Sequence, residues 1–119
     1  MRGREEDVAM PFYMLQAAYT SEAWATLAEN PQNRGEPVAA QLEKLGGKLL
    51  GFYYSLGDYD TVVIYKLPDD ATAAAFAISV AAPGFLKSVK TTKLLSVDEA
   101  MDAMSKAGAS RYPKPGSRS

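Results

Sequence analysis

The sequence predicts a small α+β domain of the ferredoxin-like class. The expected order is strand, helix, strand, strand, helix, strand, with a four-stranded antiparallel sheet, helices on one face and a short extra helix at the end. Three observations carry this expectation. Four short segments rich in Tyr, Phe, Val, Ile and Leu are bounded by Gly, Pro and Asx breaks. Helical stretches follow the first and the third of them. The two middle segments place apolar side chains at both odd and even positions, so both faces of the sheet need a cover. A chain of 119 residues suits one domain with a modest core, for which association supplies the missing burial.

Phe12 to Tyr19 (FYMLQAAY) suits the first strand. Thr20 or Ser21 offers a hydroxyl N-cap, and helix is expected from Ser21 to about Glu29. Asn30-Pro31 and Arg34-Gly35 interrupt it. Glu36-Pro37 restarts it, since Pro is tolerated in a first turn. Val38, Leu42 and Leu45 then form one apolar stripe, and Gly46-Gly47 ends the helix.

Lys48 to Leu56 is the second strand, Gly57-Asp58 a two-residue hairpin turn, and Tyr59 to Leu67 the third strand. Strict alternation sets Leu50, Phe52, Tyr54 and Leu56 against Leu49, Gly51 and Tyr53. It likewise sets Val62 and Ile64 against Tyr59, Val63 and Tyr65. Pro68-Asp69-Asp70 opens an Ala-rich helix, Ala71 to Ala82, which Pro83-Gly84 breaks. Phe85 to Leu95 is the fourth strand. Ser96 and Glu99 have capping-box spacing for a last helix from Val97 to about Ala107. The domain therefore spans residues 10–107, between a polar extension (1–9) and a basic Gly/Pro/Ser-rich tail (108–119). Met10 offers a second translation start.

The chain has neither Cys nor His. Disulfides, thiolate nucleophiles and Cys- or His-held metals are excluded, as are His-based acid–base mechanisms. No cofactor and no metal are expected. A formal net charge of −1 argues against a nucleic-acid partner. No apolar run reaches the roughly 18 residues of a membrane helix, and no secretory pattern opens the chain. A cytoplasmic protein without membrane contact is expected.

Leu45-Gly46-Gly47-Lys48, followed by Tyr53-Tyr54-Ser55-Leu56-Gly57-Asp58-Tyr59-Asp60, resembles the GYD-domain family, whose signature falls here on Gly57, Tyr59 and Asp60. Met10 to Tyr13, Leu67 to Asp70 and Lys90 to Leu94 resemble that family's flanking segments, so the similarity spans roughly residues 10–99. The resemblance implies a ferredoxin-like domain that pairs as a dimeric α+β barrel. It brings no reaction with it. The wider barrel superfamily holds cofactor-free monooxygenases, isomerases, decarboxylases, haem enzymes and small-molecule sensors, and fold does not choose among them.

Gly57 and Asp58 are explained by turn chemistry. Asp60 is either a strand-end acceptor of backbone N–H groups or, if burial raises its pKa, a catalytic carboxylate. Tyr13, Tyr54 and Tyr59 combine apolar area with a hydroxyl, as a ligand pocket or a subunit seam would require. Trp24 is a pocket wall or a core anchor. Lys90 binds an anion inside a barrel or protects an edge strand. Two functions stay open. One is a homo-oligomeric binder of a small, partly apolar molecule, with Asp60 as proton acceptor for cofactor-independent oxygenase or isomerase chemistry. The other is a non-catalytic assembly module whose aromatic face is buried between subunits.

Overall fold

A computed structural model describes residues 10–116; the extension at 1–9 and the tail's last residues, 117–119, lie outside the described residues. The elements are β1 (Phe12–Tyr19), α1 (Ser21–Glu29), α2 (Gly35–Lys44), β2 (Lys48–Tyr54), β3 (Thr61–Lys66), α3 (Asp70–Ala81), β4 (Leu86–Leu94) and α4 (Val97–Ala109). The sheet is antiparallel in the order β2-β3-β1-β4, which is the expected ferredoxin-like arrangement.

Local chemistry sets the helix ends. The Thr20 side chain accepts from the Ala23 N–H, Asp69 from Thr72, and Ser96 forms a reciprocal capping box with Glu99. Gly46, at φ 85°, closes α2 in a Schellman motif: its N–H donates to Glu43 O and that of Gly47 to Leu42 O.

One sheet face is packed by the helices. Tyr13, Leu15 and Ala17 of β1 and Val63 and Tyr65 of β3 meet Leu42 of α2 and Ala73 and Phe76 of α3, all buried. Tyr65 stacks on Tyr13 at 5.8 Å and meets the Phe76 ring edge-on at 4.9 Å. The other face carries Met14, Gln16, Val62, Ile64, Tyr53, Lys90 and Thr92, and among the described residues no helix covers it. None of the residues of α4 is buried, although Val97, Met101 and Met104 recur on it at helical spacing.

Two expectations need correction. The β2–β3 connection is not a two-residue hairpin. The strands end at Tyr54 and restart at Thr61, and the link is closed by the Ser55 N–H donating to Asp60 O and the Ser55 hydroxyl to Tyr59 O. Gly57 does take a positive φ, 138°, but inside this longer loop. Strict alternation also fails on β2, because the register shifts between Leu49 and Gly51. Leu49 and Phe52 therefore both pack on the core, whereas Gly51 and Tyr53 lie on the open face.

Burial holds three phenols neutral. Burial and the hydrogen bond to Asp70 push the Tyr13 hydroxyl well up, with charge repulsion from Asp70 and Asp69 adding to it. Burial also raises Tyr19 to about 12, helped by Tyr54 and opposed by Arg34. Burial raises Tyr65 to about 12, with Thr91 acting the other way. A folded-state value above the unfolded 10.0 leaves stability intact below pH 10 and removes it as pH rises through about 12. Thermal midpoints are expected to fall steadily above pH 10, with Tyr13, Tyr19 and Tyr65 resisting ionisation by phenolate absorbance. Ionisation of these three near pH 10 in a still-folded protein would contradict this.

Candidate functional site

Asp60 precedes β3 and holds three parts of the fold together. Its N–H donates to Ala17 O at 2.8 Å, and since Ala17 pairs with Thr61 in the ladder, this bond ties the loop to β1 just before β3 begins. Its carboxylate Oδ2 accepts from the Tyr19 N–H at 2.9 Å and from Trp24 Nε1 at 3.3 Å. The Trp24 ring in turn meets Tyr19 edge-on at 5.1 Å. The signature therefore has a structural account: Gly57 supplies a positive φ, the Tyr59 carbonyl accepts from Ser55, and Asp60 ties the loop to β1 and α1.

This arrangement makes a direct prediction. Asp60→Ala strands the Tyr19 N–H and is expected to cost about 1–3 kcal/mol. Asp60→Asn keeps an acceptor oxygen and is expected to cost less. Denaturant midpoints check both, and an alanine variant as stable as the wild type would remove the clamp.

The other sequence candidates are scattered. Tyr13 is buried beneath α3, where its hydroxyl donates to Asp70 Oδ1 at 2.7 Å, and Lys93 pairs with the same carboxylate at 3.1 Å. The Tyr13 hydrogen bond, and then Lys93, hold Asp70 below the ordinary carboxylate range. Tyr54 is half exposed with its ring against Phe52. Tyr59 lies in the β2–β3 loop, and Lys90 is exposed on the open face.

A well-formed cavity lies elsewhere. It has a volume of about 290 Å³ and sits between the sheet and helices α2 and α3. None of Tyr13, Trp24, Tyr54, Tyr59, Asp60 and Lys90 lines it. Its floor is Leu15, Ala17, Val63 and Phe76, all buried, and Arg34 and Gln41 stand at its α2 side. Sequence reasoning treated Arg34 only as part of a helix break. The available signal was that Arg34 is the one Lys or Arg between Arg4 and Lys44. Among the described residues no group of three carboxylates could hold a metal, and no helix is long and apolar enough to cross a membrane.

The fold and the Asp60-closed loop define a small ferredoxin-like α+β domain with a GYD signature. A family model described as the GYD domain matches residues 13–104, and the chain belongs to that family. The "Glutamine synthetase and cystathionine beta-lyase binding protein" of Thermus thermophilus is 33% identical over 89 residues, covering 74% of this chain and 90% of that protein. Among solved structures, the crystal structure of MtbAldR superposes with a TM-score of 0.54 at 15% identity. It covers 76% of this chain and 57% of MtbAldR, a likeness of fold alone.

Proposed function

We propose that this chain is a non-catalytic binding subunit, which associates with a second copy of itself and docks in that form on a metabolic enzyme. The observation that carries this reading is the pair of uncovered apolar elements. The open sheet face presents Met14, Val62, Ile64 and Tyr53, and α4 presents Val97, Met101 and Met104. Their charges are complementary. The exposed strand positions on that face include Lys48 and Lys90 and no carboxylate, whereas α4 carries Asp98, Glu99 and Asp102 against one lysine, Lys106, which pairs with Asp102. Apolar area bounded by opposite charges suits self-association between two copies.

The enzyme partner is suggested by the relative's name, which gives glutamine synthetase and cystathionine beta-lyase as what that protein binds. Oxygenase or isomerase chemistry has no comparable support: the Asp60 carboxylate already serves the Tyr19 and Trp24 N–H groups. Light scattering during size exclusion tests the association, and affinity capture on immobilised glutamine synthetase from the same organism tests the docking. A dimer or larger assembly that is retained on the enzyme is expected. A monomer at micromolar concentration, or an assembly that passes through unretained, would overturn the corresponding half of the reading.

A further inference from the structure

We infer that the cavity between the sheet and helices α2 and α3 binds a small monocarboxylate with an apolar tail, anchored by Arg34. This site is independent of the binding-subunit reading, because it lies on the helix side of the sheet rather than on the open face. Its volume, about 290 Å³, is near the lower end for ligand pockets, which run from about 300 to 1,000 Å³.

The lining specifies the chemistry. Leu15, Val63, Phe76 and Val80 offer only hydrocarbon to whatever enters. Two of the polar groups along the wall are already engaged. The Ser79 hydroxyl donates to Phe76 O at 2.8 Å, and that of Thr61 to Ala17 O at 3.5 Å. Arg34 differs. One of its N–H groups donates to the Gln32 side-chain oxygen at 3.2 Å, and among the described residues no carboxylate lies within ion-pair distance of it. A half-buried guanidinium at the mouth of an apolar cavity retains most of its fork of donors for a planar, two-oxygen anion. Gln41 lines the same cavity from α2, with its amide unengaged among the described residues.

The same wall narrows the class further. No Asp or Glu lines the cavity, so an α-ammonium group would find no counter-charge, and a free amino acid is disfavoured. A single cation suits a monoanion better than a dianionic phosphate. Arg34, Tyr19 and Phe85 also line a second, smaller cavity of about 140 Å³, so the guanidinium stands where the two spaces meet.

Octanoate and phenylacetate are suitable probes, titrated into the full-length protein and followed by amide NMR. Binding is expected to shift the resonances of Leu15, Val38 and Val63. Arg34→Gln is expected to weaken octanoate at least tenfold, and 1-octanol is expected to bind the wild type at least tenfold more weakly than octanoate. Arg34 precedes α2 and makes no side-chain cap, so the substitution leaves the helix start intact. Val80→Phe, which fills the cavity from α3, is expected to abolish binding in a chain whose spectrum stays folded. The inference is overturned by an absence of shifts at millimolar probe, by shifts confined to Met14, Ile64 and Lys90 on the open face, or by octanol and Arg34→Gln matching the wild type with octanoate.

Discussion

Gly47→Ala is expected to be the most destabilising single methyl addition in this chain. A Cβ built on Gly47 falls inside contact distance of the Lys66 carbonyl oxygen and of the Leu67 side chain. The carbonyl belongs to the end of β3, and Leu67 is fully buried, so neither can yield without moving the sheet. The N–H of Gly47 is also held by Leu42 O in the α2 closure, so the backbone cannot retreat toward the helix. Overpacking against fixed backbone is expected to cost about 3 kcal/mol or more. For a domain of this size that lowers the melting temperature by roughly 10–15 °C.

Gly57→Ala provides the contrast. A Cβ there meets nothing within 4 Å, and only its φ of 138° resists substitution. Strain of that kind is expected to cost about 1–2 kcal/mol. Paired melts of the two variants separate close approach from backbone conformation. Equal midpoints would show that the Gly47 contact is absorbed by a shift of β2.

Much of this was legible in the chain, because the deciding signals are local. The N-caps at Thr20 and Ser96, the closing Gly46-Gly47 pair and the Pro83-Gly84 break each act within a few residues of themselves. The limits of β1 follow from an uninterrupted β-prone run. What escaped depends on the partner strand or on packing. Gly57-Asp58 has hairpin-turn composition, yet Ser55 and Asp60 close a longer loop, since Asp60 is held by β1 and α1. The register shift on β2 is set opposite Ile64 and Tyr65, and no alternation rule within β2 reveals it. Asp60 was legible as a backbone acceptor, but its partners, Tyr19 and Trp24, were not. Arg34 lay hidden for a similar reason: its place beside an apolar cavity comes from α3 and β4, which follow much later in the chain.

Ile64→Asp is expected to convert the assembled protein into a monomer. Ile64 lies on β3, second in the sheet order, and its Cα partners are Met14 on β1 and Gly51 on β2. A second copy covering this face would bury the new carboxylate beside Met14 and Val62, and the lysines of the same face pair with Phe12, Lys48 and Gln16 rather than with Ile64. A buried charge without a partner costs about 3–5 kcal/mol, which weakens association by roughly 10²–10⁴-fold. Asp also lowers strand propensity, so a loss of assembly through misfolding must be separated from a loss of the interface. Met101→Glu makes that separation. Its side chain is 59% exposed on α4, Glu is a good helix former, and the change adds charge to a helix that already carries Asp98 and Asp102. A folded monomer from both variants is expected by sedimentation velocity. If both stayed assembled with wild-type dissociation constants, a different surface would join the copies, and the basic sheet face with its Met-lined helix would be left for the enzyme partner.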